Sequence, residues 1–255
     1  MKTKTPRTAR QKTLVAALRP APANPRAATP ARVAPAPALG ARASYRHGDL
    51  RRALLEAGVD LARGGGPQAV VLREATRRAG VVPNAAYRHF ASHAALFAAV
   101  RAAALAGVAQ AMTQEIAALA PLPPAPTPHQ VVAHARGCVR AVGRGYLRFA
   151  LAETGLFRTA FAAFTPDEPG ASAPGLAQAP AVGGANPFEL LGAELDRLVE
   201  AGVLPPARRP GAEYLAWSAV HGMALLLLDG PLQATRGDAA AALGQRLLDM
   251  VERGI

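Results

Sequence analysis

The 255-residue chain sets 29 lysines and arginines against 17 aspartates and glutamates, a formal charge of +12 at neutral pH, and 51% of it is hydrophobic. That is apolar enough for a packed core, and a basic balance of this size favours a polyanionic partner. Cys138 is the sole cysteine, which excludes a disulfide within the chain; no hydrophobic secretory segment follows Met1 and no apolar run reaches the roughly eighteen residues of a membrane span, so a cytoplasmic protein with no membrane partner is expected.

The charge is unevenly spread. Residues 1–43 hold nine basic and no acidic groups, residues 44–112 nine against four, and residues 113–255 eleven against thirteen. Residues 1–43, with Pro6, Pro20, Pro22, Pro25, Pro30, Pro35 and Pro37 among alanines and cations, cannot bury a core and are expected to be a disordered basic arm. Such an arm either adds nonspecific affinity for nucleic acid by counterion release or is a solvated extension.

In residues 48–63 Leu50, Leu54, Ala57 and Leu61 form one apolar stripe at helical spacing, stopped by Gly64, Gly65, Gly66 and Pro67. Then comes the most informative stretch, LREATRRAGVVPNAAYRHF, from Leu72 to Phe90. Good helix formers over 72–79, a turn glycine at Gly80 and Pro83 at the start of a second helix over 83–89 spell a helix-turn-helix. The exposed side of the second helix offers Asn84, Ala85, Tyr87, Arg88 and His89 to a major groove and its flanking phosphates, and Phe90 closes the core. Ser92 can cap a long connecting helix that carries Leu96, Phe97, Val100, Leu105, Val108 and Met112 and ends before Pro121.

YRHGDLRRALLEAG, LREATRRAGV and AYRHF, from Tyr45 to about Val100, resemble the N-terminal domain of the TetR family of bacterial repressors. YLRFALAETGLFRTAF (146–161) and WSAVHG (217–222) resemble that family's C-terminal domain type named for its Trp, His and Gly. The resemblance implies an all-α protein: an N-terminal three-helix helix-turn-helix head, residues 44–100, joined to a C-terminal helical ligand-binding and dimerisation bundle, residues 101–255. It implies base reading by Asn84, Ala85 and Ala86 and phosphate anchoring by Arg73, Tyr87, Arg88 and His89, with Pro83 setting the helix start and Arg46 and Arg51 helping from the first helix. Three positions depart from the family pattern. Val71 and Val82 stand where a Ser or Thr normally caps each helix of the pair, and His93 stands where a Lys opens the connecting helix; His93 reaches a phosphate as a cation only when protonated.

The second half reads as helices over 131–153, 156–164, 188–201, 212–228 and 238–253, with a Pro- and Gly-rich loop over 165–187. In the last two helices Leu215, Ala219, Met223, Leu226 and Leu227, then Leu243, Leu247, Leu248 and Val251, cover more than one face, which calls for two burial partners. These are the protein's own core and either the same helices of a second copy, a homodimer, or the rest of a monomeric bundle. Tyr146, Phe149, Phe157, Phe161 and Phe164 concentrate aromatics in this half, and Trp217 and His221 lie four apart. Aromatics at helical spacing are core in the first instance; by family analogy Tyr146, Phe149, Phe157, Phe161, Trp217 and His221 line an effector pocket.

Catalysis finds no support. His129 and His134 do not share a face and have no Cys or carboxylate to complete a zinc set; Gly64 to Gly66 is not followed by Lys-Ser or Lys-Thr; Ser218 lacks a strand-to-helix elbow. The sequence therefore predicts a ligand-responsive, DNA-binding regulator, a repressor that reads a palindromic double-stranded operator as a dimer and answers to an unknown small-molecule effector. No enzyme, cofactor or metal is expected. The alternative is a sequence-independent, nucleoid-type DNA binder.

Overall fold

The computed structural model describes residues 47–162 and 186–255. The expected arm, Arg46, Phe164 and residues 165–185 of the expected loop lie outside the described residues. Among the described residues nine α-helices follow in order: α1 His47–Gly65, α2 Leu72–Arg78, α3 Pro83–Ala86, α4 His93–Ala117, α5 Pro128–Ala152, α6 Thr154–Ala160, α7 Pro187–Glu200, α8 Ala212–Leu228 and α9 Gly237–Gly254. The described residues contain no strand, so the all-α class read from the sequence is the class observed.

Helices α1 to α3 close over a small core in which Leu54, Val70, Ala75, Ala86, Leu96 and Val100 are fully buried. Helix α4 belongs to this core and to the next one, and it passes without a break through the boundary expected at residue 100. Ser92 starts it by accepting the Ala95 N–H at 3.1 Å. This helix is long enough and apolar enough to cross a bilayer by composition, with a mean hydropathy of 1.6 over its best window. Half of that window is buried against other helices, the pattern of a core helix.

The body is built on α5, which crosses α4 and packs against α6 to α9. It begins at Pro128 rather than Val131 because Thr127 and Gln130 form a capping box: the Gln130 N–H donates to Thr127 Oγ1 at 3.3 Å, and the Thr127 N–H donates to Gln130 Oε1 at 2.8 Å. Asn186 and Glu189 start α7 in the same way. Helix α6 stops at Ala160, short of the expected Phe164. Helix α8 has the predicted bounds, and α9 exceeds its predicted span by a residue at each end. Arg136 and Arg140 of α5 both reach the buried carboxylate of Glu252, Arg140 at 2.8 Å, and clasp the end of α9 to α5.

Three contacts seat the head on the body. The Arg63 Nε donates to Glu153 Oε2 at 3.0 Å, and Arg101 of α4 donates through Nε to the Ala160 carbonyl at 3.0 Å, where α6 ends. Between them α6 presses its first turn onto the end of α1, so closely that a Cβ on Gly155 would stand 2.3 Å from the Ala62 carbonyl oxygen and 2.4 Å from that of Arg63. Both are backbone atoms and cannot step aside cheaply. We expect Gly155→Ala to cost about 1–3 kcal/mol by overpacking, read as a lower thermal midpoint; an unchanged midpoint would show that the seat is loose.

Candidate nucleic-acid interface and effector cavity

The turn of the helix-turn-helix is fixed by Gly80. Its φ of 69° is open to glycine at no steric cost. Around it the Val81 N–H donates to the Thr76 carbonyl at 3.0 Å and the Gly80 N–H to the Arg77 carbonyl at 3.2 Å, the paired bonds of a Schellman end. Helix α3 has only four residues and then loosens into turns, with the His89 and Phe90 N–H groups both donating to the Ala86 carbonyl, at 2.8 and 2.9 Å. The expected helix over 83–89 is thus shorter. What holds its geometry is burial of Ala86 and Phe90, at 0% and 2% exposure.

That burial corrects one assignment: Ala86 faces the head core and cannot read a base. Asn84, Tyr87 and Arg88 are exposed, Ala85 and His89 half-buried, and Pro83 supplies the first residue of α3. Arg73 stands exposed at the start of α2. Arg77 and Arg78 next to it are engaged by Glu74, at 2.6 and 3.4 Å, and hydrogen bonding from Arg77 lowers the Glu74 carboxyl to about 2. Arg51 lies with its guanidinium carbon 5.1 Å from the centre of the Phe90 ring, so this exposed cation also pins α1 to the end of the reading unit.

The departures have structural counterparts. Neither Val71 nor Val82 supplies a side-chain cap, and they are 44% and 68% exposed in positions where a hydroxyl would have met the helix N–H groups. His93 turns inward: its Nε2 hydrogen-bonds the Val70 carbonyl and ties the start of α4 to the approach to α2. One ring nitrogen is thus committed to the fold, which leaves Nδ1 alone for the expected phosphate contact.

In the body, the side chains of Tyr146, Phe157, Phe161, Trp217 and His221 meet as one cluster, with Tyr146 5.4 Å from Phe157 and 5.1 Å from Trp217 between ring centres. Phe149 is not part of it. It packs instead against Gly107 of α4, where a Cβ would lie 2.9 Å from the ring. The cavity beside the cluster, bounded by Tyr146, Trp217, Met112 and Leu191, measures about 20 Å³, room for about one water. The five aromatics are therefore packed as core in this conformation.

One polar contact runs through that core. Tyr146 Oη and His221 Nδ1 are 2.7 Å apart. Burial pushes the tyrosine well above its ordinary value and pushes His221 down, so both favour their neutral forms, and the tautomer of the imidazole sets which of the two donates. Among the described residues no group of three or more His, Cys, Asp or Glu side chains could hold a metal ion.

Two family profiles match the chain: "Bacterial regulatory proteins, tetR family" over residues 54–100 and "Tetracyclin repressor-like, C-terminal domain" over residues 139–251. Among solved structures, a protein of unknown function from Rhodococcus sp. RHA1 is similar at a TM-score of 0.63 and 23% identity, over 84% of this chain and 99% of that one. The transcriptional regulator FadR from Bacillus subtilis, solved in complex with stearoyl-CoA, is similar at 0.54 and 11%, over 80% of this chain and 98% of that one. Both show the fold. No curated protein matches.

Two outcomes follow from these contacts. Val82→Ser restores a cap acceptor and should raise the unfolding free energy by about 1 kcal/mol in denaturant titration. Because His221 is depressed by burial, the stability it supports is complete above its unfolded value near 6.5 and is lost as the pH falls below it. The thermal midpoint of the wild type should therefore drop below about pH 6.5, and His221→Gln should flatten that part of the profile.

Proposed function

The chain belongs to the TetR family of bacterial regulators, DNA-binding proteins that respond to ligands, and from that premise we propose that it is a ligand-responsive repressor that binds a palindromic operator as a homodimer. The observation that carries the reading is the division of labour at α3: Ala86 and Phe90 are buried, while Asn84, Tyr87 and Arg88 are exposed, as is Arg73 on α2. A short helix end offering one amide, one phenol and one guanidinium, with a second guanidinium on α2, suits a major groove and the phosphates on either side of it. Asn84, with Ala85 beside it, is assigned to the bases, and Arg73, Tyr87, Arg88 and His89 to the backbone, helped by Arg51. The head and body expected at residues 44–100 and 101–255 take the DNA-binding and the effector-binding and dimerising roles.

Pairing is supported by α8 and α9. One side of α8 is buried through Ala212, Ala216, Val220 and Leu227, and the other exposes Leu215 at 67%, Leu225 at 43% and Leu226 at 41%; Met250 of α9 is 61% exposed. Apolar groups left in water along one helical face are the expected half of an isologous four-helix interface, which would set two heads about 34 Å apart on successive major grooves.

The missing caps at Val71 and Val82 favour a second reading, a sequence-independent nucleoid-type binder. A salt series separates the two. A site-specific repressor should prefer the duplex upstream of the neighbouring gene over random duplex by about a thousandfold or more at physiological salt. Arg88→Ala should weaken binding to all sequences and reduce the salt slope by about one, whereas Asn84→Ala should alter base preference and leave the slope unchanged. Equal affinity for natural and scrambled duplex would support the second reading instead.

A further inference from the structure

The large cavity of the body is not at the aromatic cluster. It is a groove of about 750 Å³ on the far side of α5, between α5, α9 and the end of α4. Leu147 and Leu151 of α5 form its floor, and Ala241, Gly244 and Leu248 of α9 form a wall. Its volume lies within the range of roughly 300–1,000 Å³ common to small-molecule sites. The floor is not finished as protein surface: Leu151 is 38% exposed.

The charge on its rim is one-sided. Arg144 and Arg148, one turn apart on α5, both line the groove and share a single carboxylate, Glu115 of α4, at 3.3 Å from each. Arg148 also donates to the Ala111 carbonyl and to Gln114 Oε1, at 3.3 and 3.2 Å. Arg144 spends Nε on Glu115, and a guanidinium has five N–H donors. Two cations against one anion leave an excess positive charge at the edge of an apolar trough.

We propose that this groove binds an apolar organic carboxylate, its hydrocarbon body along Leu147, Leu151 and Leu248 and its carboxylate on Arg144 and Arg148. A cationic ligand is disfavoured by the same two arginines, and a neutral one leaves their charge unanswered. A second copy of the chain is the wrong occupant. At 100° per residue Ala241 and Gln245 face the groove, whereas Leu243 and Met250 lie on the opposite flank of α9, with the exposed apolar residues of the proposed dimer. The inference concerns ligand binding alone, and it stands or falls separately from DNA recognition.

The test is calorimetric titration of the full chain with decanoate, decan-1-ol and decyltrimethylammonium, each below its aggregation concentration. Decanoate should bind one per chain, about tenfold or more tighter than the alcohol, as expected for a charge-assisted pair, and the ammonium should bind weakest. Ala241→Trp, which fills the groove from an exposed wall position, should weaken decanoate by at least about tenfold. Replacing both arginines, R144Q with R148Q, should bring decanoate down to the affinity of the alcohol; this pair decides the matter if the Trp variant folds poorly. No decanoate binding, equal binding of the three probes, or full affinity retained in well-folded Ala241→Trp would overturn the proposal. Any of those results together with intact operator binding would leave the repressor reading standing.

Discussion

The structure depends on α4 being one unbroken helix that two cores share. Leu96, Phe97 and Val100 are buried with α1 to α3, and Val108, Ala111 and Met112 with α5, within a single helix of about 37 Å at 1.5 Å per residue. A helix anchored in packed layers at both ends moves as a rod, because bending it would break backbone bonds and open voids in one core or the other. Any rearrangement of the body that displaces the second half of α4 is therefore delivered to the head as a tilt of the first half. The Arg101 bond to Ala160 and the tight seat at Gly155 bring α6 into the same assembly, so the aromatic residues Phe157 and Phe161 sit one helix away from the head.

Charge is partitioned along this rod with some economy. Many of the exposed arginines of the head are already occupied: Arg52 by Glu56, Arg63 by Asp60 and Glu153, Arg77 and Arg78 by Glu74. Exposed pairs of this kind contribute little to stability. Their effect is to quiet part of the field of the head and leave Arg51, Arg73 and Arg88, for which no ion pair is formed among the described residues, as its unneutralised exposed cations. The basic excess of residues 44–112 counted from sequence thus overstates the number of cations offered to phosphates, and the geometry narrows it to a patch.

Much of the architecture was legible. The helical spacing of Leu50, Leu54, Ala57 and Leu61 gave α1, and the span read for α8, 212–228, is the one observed, with Asp229 and Gly230 following it. Trp217 and His221, four apart on one helix, were recognised as a pair and stack in space, and Phe157 and Phe161, named only among the aromatics of this half, meet them there. The start of α5 was placed three residues late although Thr127-x-x-Gln130 carries a readable capping signature, and that of α7, where Asn186-x-x-Glu189 repeats it, one residue late. Phe149 and Ala86 were misplaced for a different reason. Helix α5 is buried on more than one side, so spacing cannot tell which neighbour a given aromatic meets, and a four-residue helix has too little periodicity to mark its inner face. The α5–α9 groove was invisible because its walls come from segments far apart in the chain, and only tertiary assembly puts Arg144 and Leu248 on one cavity.

The reading end of the head also shows what replaces local helix signals when they are absent. Val71 and Val82 provide no caps, and an isolated helix as short as α3 would not persist in water. Its order is borrowed from outside: the Schellman bonds behind Gly80, the full burial of Ala86, the Phe90 ring under Arg51, and the His93 bond to Val70 that fixes where α4 begins. Two of these supports, Phe90 and His93, flank the first turn of α4. A displacement of α4 therefore does more than carry the reading end to a new position, since it acts on the contacts that keep that end ordered. In a protein with strong caps the head would travel as a finished unit; here the loss of local capping makes the geometry presented to DNA a function of how the connecting helix is seated.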